Sequence, residues 1–355
     1  MKAMQTDRLA VTHTNPSRSM KILLVQTSYL GDTILSTPVI RGIRDLYPEA
    51  NLWMMTTPLS ASLVRRDPLL TGVIPFDKRG VNSGVQGLFR MSKTIRRHHF
   101  DRCYSLHRSA RTALLLSLSR IPIRIGFDNA RLNFFYHRTR NRNPARHDVI
   151  RNLSLLSGEM PVSGLSTDLR LFPPDKKELS GKLQIQLPAP GSYAILVPGS
   201  AWETKRWDWR GYREVARFLR NQGLEVVLIG APSERSVAEK VARGLDVLNF
   251  AGMTTVDDAL YLTRHAKLMV CNDSMALHMA SAFKVPTAAV FCATTPEFGF
   301  GPWKNPKATV VEKTGLSCKP CGRHGGKFCP AGTDSCMRDL SAGQVISAIR
   351  RMLDI

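Results

Sequence analysis

What most restricts the fold of this chain is a grammar of short apolar runs alternating with amphipathic stretches, which runs once, breaks, and starts again. From Lys21 it reads KILLVQ, TILSTPVIRGIRDLY, NLWMMTT, SASLVRR, GVIPFD, GLFRMSKTIRRHH, DRCYSLH, ARTALLLSLSR and IRIGF. Runs this short and this apolar suit strands buried on both faces, and the stretches between them carry helical periodicity. Strand, helix, strand in succession means βαβ units and a parallel sheet. The second pass begins at YAILVP and continues through a helix over 211–221, LEVVLIG, a helix over 234–243, VLNFAG, a helix over 256–265, KLMVCND, a helix over 275–283 and TAAVFC.

The expected fold class is therefore α/β, with two Rossmann-like, doubly wound domains over residues 20–172 and 192–338. Residues 173–191, which hold Pro173, Pro174, Pro188 and Pro190, read as the linker. The amphipathic tail, 339–355, is expected to pack back toward the first domain. Residues 1–19 read as a disordered tail or a mis-assigned start, since Met20 stands directly before the first strand. Two doubly wound sheets place a cleft between their carboxyl ends, and that is where such folds bind ligands.

Charge and hydropathy narrow the partners. The chain carries 50 Lys+Arg against 28 Asp+Glu, a net +22, and residues 90–151 alone hold fifteen Lys/Arg and three acids. Such a segment is either a solvated basic face or a surface for polyanions: nucleic acid, acidic headgroups or a phosphorylated substrate. The longest apolar stretches, around 113–118 and 22–25, are too short to cross a bilayer, and the N-terminus has no apolar secretory core. A cytoplasmic location is expected.

The motifs sit at strand-to-helix turns. In QTSYLGDTILSTPV, Gly31 permits a tight turn and Asp32 stands at a helix start on the cleft rim, as a cap or as a base for an incoming hydroxyl. In VPGSAWETKRW, Ser200, Thr204 and Lys205 are either solvated loop residues or the hydroxyls and ammonium that neutralise a diphosphate. Trp202, Trp207 and Trp209 anchor that loop more readily than they stack on a base. In GAPSERS, Glu234 suits a ribose diol. In VCNDSMALH, Asp273 and Ser274 cap a helix or present it to a phosphate, with His278 one turn on.

Cys318, Cys321, Cys329 and Cys336 form C-x2-C-x7-C-x6-C, compatible with a structural zinc site, free thiols or disulfides. Cys103, Cys271 and Cys292 read as small buried hydrophobes.

Taken in order, LGDTILSTPV (30–39), PGSAWETKRW (198–207), GAPSE (230–234) and NDSMALH (272–278) resemble the heptosyltransferases of glycosyltransferase family 9. The resemblance runs from about Met20 to the C-terminus. It implies a GT-B enzyme in which an N-terminal acceptor domain faces a C-terminal nucleotide-sugar domain. The reaction implied is inverting, metal-independent transfer of L-glycero-D-manno-heptose from ADP-heptose to Kdo or heptose on lipid A, in the inner core of lipopolysaccharide. No cofactor is required. Asp32 then looks like the general base, Ser200, Thr204 and Lys205 the diphosphate clamp, Glu234 the ribose partner and Met253 an adenine-pocket residue. Asp273, Ser274 and His278 look like the donor sugar and phosphate site, and His147 and Arg151 an acceptor-side pair.

The anionic acceptor gives the basic segment a purpose, at the cytoplasmic face of the inner membrane, and a monomer is expected. One departure stands out: the family's glycine after Asp-Ser is Met275 here, which bears on donor choice. The rival readings are a family member with another donor or acceptor, and a polyanion or nucleic-acid binder on the same scaffold. Against the latter, aromatics are only 7% and no nucleic-acid module is recognisable.

Overall fold

The computed structural model describes residues 19–354, so residues 1–18 of the expected tail lie outside the described residues. The first pass of the grammar is β1 (Lys21–Gln26), α1 (Leu30–Leu46), β2 (Asn51–Thr56), α2 (Pro58–Val64), β3 (Gly72–Pro75), α3 (Gly84–His98), β4 (Arg102–Ser105), α4 (Ala110–Leu118), β5 (Ile123–Phe127), β6 (Arg138–Arg140) and α5 (Asp148–Leu153). After α6 (Gly181–Gln186) the second pass runs β7 (Tyr193–Val197), α7 (Trp209–Asn221), β8 (Glu225–Leu228), α8 (Arg235–Ala242), β9 (Leu248–Asn249), α9 (Val256–His265), β10 (Leu268–Asn272), α10 (Met275–Phe283), β11 (Thr287–Phe291) and β12 (Ala308–Glu312), then α11 (Ser335–Arg338) and α12 (Ala342–Leu353).

Both passes make a six-stranded parallel sheet, in the orders β3-β2-β1-β4-β5-β6 and β12-β11-β10-β7-β8-β9. The two orders are the same doubly wound topology. In each, the first strand of the pass pairs with the second on one side and the fourth on the other, as Val25 does with Met55 and Ser105, and Leu196 with Leu228 and Val270. The chain therefore departs in opposite directions from β1 and β4, and again from β7 and β10. These two switch points are where the fold leaves a crevice.

The central strands are fully buried because helices cover both faces, which is why they read as continuous apolar runs. One apolar cluster spans both sheets, uniting Ile22, Leu35 and Ile40 of the first pass with Leu277, Met279 and Phe291 of the second. Each such side chain contributes about 1.5–3 kcal/mol on burial. The helix pairs α1–α10 and α2–α9 form the seam between the two halves.

The segment 173–191, expected as the linker, runs between the two sheets and is packed: it contains α6, buries Leu179 and Leu183 in the shared core, and bonds to the second half where Ser180 N donates to Asp258 Oδ1 at 3.0 Å. Two expectations need correcting. Helix α12 does not return to the first half. Its apolar stripe, Val345, Ala348 and Ile349, lies in the second half's outer core, against α7, β11 and β12. The four cysteines share one neighbourhood, close enough for the other three thiols to act on Cys336, but they are free thiols of unlike burial, Cys336 in that same core and Cys321 exposed. Among the described residues no three Cys, His, Asp or Glu side chains are arranged to hold a metal ion.

Candidate active site

At the first switch point, the loops after β1 and β4 meet. A cavity of about 200 Å³ opens there, lined by Ser28, Asp32, His107, Arg108, Arg142 and Asp148 among others. Asp32 sits in the first turn of α1, where its Oδ2 accepts the Tyr29 amide at 3.2 Å. Capping and facing the cavity are thus one arrangement for this side chain. Burial pushes its pKa above the usual aspartate range, and the neighbouring Asp148 carboxylate pushes in the same direction. A carboxylate so placed has more appetite for a proton than one in water.

The surroundings hold the cavity's shape. The His107 Nδ1 lies 2.7 Å from Thr112 Oγ1 and 3.0 Å from Thr27 Oγ1, and burial lowers its pKa to about 4, so the ring is neutral. Asp148 is buried, paired with Arg142 and hydrogen-bonded by Asn152 Nδ2 at 3.1 Å. Arg108 faces the same space and forms no ion pair among the described residues.

The second switch point holds the other motif residues. Lys205 Nζ is 2.6 Å from Asp273 Oδ2, and that same oxygen accepts Thr294 Oγ1 at 2.7 Å. Thr204 is buried, and its hydroxyl accepts the Gly326 amide at 2.8 Å. Ser200 is also buried, and its carbonyl accepts from Arg206 Nε at 2.8 Å. Asn272, at the end of β10, braces the cradle: its Nδ2 donates to the carbonyls of Pro198 and Gly199, and its Oδ1 accepts the Trp207 amide at 3.0 Å. Trp207 is itself buried, with its indole N–H on Leu340 O at 2.9 Å, so it anchors the loop.

Glu234 lies over Gly199, where a Cβ would stand 2.2 Å from its carboxyl carbon, and its Oε2 accepts the Ala231 amide at 2.8 Å. Burial raises its pKa. Met253 follows Gly252, whose φ of +74° turns the chain beside the same strand ends.

Two atoms in this cradle have no hydrogen-bond partner among the described residues: Ser274 Oγ, at the N-terminus of α10, and the Nδ1 of buried His278. Burial lowers the His278 pKa to about 4, so it is neutral. Buried polar groups are nearly always satisfied, and a helix start with two idle polar atoms is suited to an anion. His278 also reaches the first half. A Cβ on Gly31 would lie 3.1 Å from its Cδ2, so glycine there lets the starts of α1 and α10 approach. Met275 packs into the shared core at the same contact.

His147 and Arg151, expected as the acceptor-side pair, are engaged in contacts to the second half. The His147 Nε2 lies 3.1 Å from Gly301 O with the ring stacked on Trp303, and Arg151 is buried and donates to Phe298 O at 2.8 Å. They join α5 to the second half, as does the Asp148 amide on Gly299 O at 2.9 Å. The cations that do face the cavity, Arg108 and Arg142, escaped the sequence reading. The signal was available: His107 and Arg108 follow β4 as Ser28 follows β1, and those two strands make the switch point. A second omission is the placing of the cysteine-bearing loop, held at the second switch point through Gly326 on Thr204 and the Cys321 amide on Ala293 O at 2.9 Å.

Two doubly wound units with six-stranded parallel sheets, each with a polar cluster at its switch point, have the architecture of the GT-B glycosyltransferase fold. The comparisons agree. The profile of Glycosyltransferase family 9 (heptosyltransferase) matches residues 88–330, and the chain belongs to that family. It is 22% identical over 343 residues to lipooligosaccharide heptosyltransferase 2 of Campylobacter jejuni, covering 94% of this chain and 99% of that protein. In structure it is similar to a family 9 glycosyltransferase of Veillonella parvula, with a TM-score of 0.81, 21% identity and coverage of 94% and 97% of the two chains. It is also similar to E. coli ADP-heptose LPS heptosyltransferase II, with a TM-score of 0.75, 23% identity and coverage of 94% and 98%.

Proposed function

We propose that this protein transfers L-glycero-D-manno-heptose from ADP-heptose to the inner core of lipopolysaccharide, by a single inverting displacement that needs no metal. The observation that carries the reading is the pairing of an Asp32 of raised proton affinity at one switch point with a braced polar cradle at the other, in which Ser274 Oγ and His278 Nδ1 have no partner among the described residues. The donor is the sugar nucleotide named in the E. coli relative.

In this reading Asp32 removes the proton from an acceptor hydroxyl as its oxygen attacks the anomeric carbon. The bond to the diphosphate breaks on the opposite face, and ADP leaves. The charge that develops on the leaving oxygen falls to Lys205, the Ser200, Thr204 and Ser274 hydroxyls, His278 and the start of α10. Groups already held in place do this best, because nothing must reorganise during the reaction. Glu234 takes the ribose and Met253 borders the adenine. The acceptor is a Kdo or heptose on phosphorylated lipid A, met at the cytoplasmic face of the inner membrane. Arg108 and Arg142 face it in the place expected of His147 and Arg151.

Calorimetric titration with ADP, ADP-heptose, UDP and UDP-glucose, repeated on Lys205→Ala, tests the donor assignment. Selective ADP-heptose binding that weakens in the variant supports it. Preference for a uridine nucleotide would assign Met275 and its neighbours to a different donor.

A further inference from the structure

The cysteine-bearing loop contains CGRHGG at residues 321–326, where Arg323 and His324 are set between glycines, and neither has a place in the reaction above. Both ends of this stretch are fixed at the carboxyl edge of the second sheet. At one end Lys319 Nζ donates to Phe291 O at 2.8 Å and the Cys321 amide to Ala293 O at 2.9 Å. At the other, the Gly326 amide donates to Thr204 Oγ1 at 2.8 Å and the Thr204 amide to Gly326 O at 3.2 Å. Between these anchors the chain lies on the Lys205 loop. A Cβ on Gly325 would stand 2.5 Å from Trp202 Cβ and 2.9 Å from Lys205 Cγ, so glycine is what lets the two backbones meet.

This stretch carries Arg323 into the cleft. Its side chain is exposed, and it faces the first half: burial lowers the pKa of Arg108 and of Arg151, and Arg142 and Arg323 push both in the same direction. The acids nearby are taken, Asp148 by Arg142 and Arg151, and Asp273 by Lys205. Arg108 and Arg323 form no ion pair among the described residues, and Arg323 makes no hydrogen bond among them. Two guanidinium groups turned toward each other repel unless an anion lies between them, and their planar donors match phosphate oxygens. The loop that holds Arg323 rests on the same cradle whose Ser274 Oγ and buried His278 Nδ1 lack partners among the described residues. Three independent features of this corner therefore call for a negative charge.

We propose that Arg323 is a second cationic ligand of the donor's diphosphate, held over the Lys205 cradle by the glycine-bounded loop 321–326 and facing Arg108 across the cleft. This rests on the functional reading for the class of donor, and adds to it a residue of the cysteine-bearing loop. Because both ends of the loop are tied down, the guanidinium is positioned before the ligand arrives, as a group that stabilises a leaving diphosphate should be.

The test is calorimetry of the full chain with ADP, UDP and inorganic pyrophosphate, for wild type, Arg323→Gln, Arg323→Lys and Arg338→Gln. Arg323→Gln should bind pyrophosphate and the preferred nucleotide about tenfold more weakly, as for the loss of one charged hydrogen bond, with its melting temperature unchanged. Arg323→Lys should recover part of that loss. Arg338→Gln removes the same charge from the same segment, at α11, and should match wild type. Unchanged pyrophosphate and nucleotide affinity in Arg323→Gln would overturn the proposal, as would an equal loss in Arg338→Gln, which would make the effect one of net charge. Pyrophosphate carries no nucleoside, so a wild type that preferred UDP would sink the ADP-heptose assignment and leave the Arg323 result standing. Selective ADP-heptose binding that Arg323→Gln leaves intact would do the reverse.

Discussion

The two switch points share a topology and differ in how finished they are. On the second sheet almost every polar group is committed before a ligand arrives: Asn272 ties β10 to the loop after β7, Lys205 is held by Asp273, and Thr204 by Gly326. The two idle atoms, on Ser274 and His278, are at the helix start. On the first sheet the pocket is small and polar, Arg108 forms no ion pair among the described residues, and Tyr29 and Val81 beside it are exposed. A fixed ligand such as a nucleotide rewards a rigid cradle, because ordering costs have been met in folding. The large acceptor of the proposed function is better served by an open and adaptable edge.

The sharpest test of this contrast is at Asp32. Asp32→Ala should lower kcat by about 10²–10⁴-fold, the range for a general base, while donor affinity measured by calorimetry stays at the wild-type value. Retained turnover would break the division of labour between the two edges. The acid limb of the kcat/KM profile should also lie above the usual aspartate range, since the base must be ionised and its pKa is raised. Ionising such a group works against the folded state above its unfolded pKa, so Asp32→Asn should melt no lower than wild type at neutral pH.

Effects on the second sheet should appear first as stability and binding. Asn272→Ala strands buried carbonyls at Pro198 and Gly199 and the Trp207 amide, and should cost about 2–4 kcal/mol in denaturant unfolding. Lys205→Ala should weaken ADP binding by about 10–100-fold, as expected for losing a charged hydrogen bond. Smallest is Gly31→Ala, whose methyl would press on His278 at 3.1 Å. It should raise KM for the donor more than it lowers the melting temperature. An unchanged KM would detach His278 from donor binding.

Much of this architecture was legible because central parallel strands are buried on both faces. KILLVQ, YAILV, LMVCN and TAAVF stand out from any helix, and α9 and α10 have the bounds their periodicity suggests. The edge strands β6 and β12 were not legible. RTR carries no apolar pattern, and β12 is mostly half-buried. The role of α5 was hidden for a different reason. His147 and Arg151 look like ligand-facing side chains locally, and their partners Gly301 and Phe298 lie about 150 residues away. The cysteines illustrate the limit of spacing. Four thiols within nineteen residues do reach one neighbourhood, but Cys336 rides on α11 into an apolar core, and burial, with the other three thiols nearby, pushes its thiol up to about 11.

The apolar cluster that spans both sheets makes the halves of this molecule thermodynamically inseparable. Domains joined only by a wet interface melt one after the other, whereas a shared interior is lost all at once. Either half expressed alone would expose the flank of α1 or α10 that the other half now covers, and would be an aggregation hazard instead of a working module. The same continuity ties any opening of the cleft to the packing of α1 against α10.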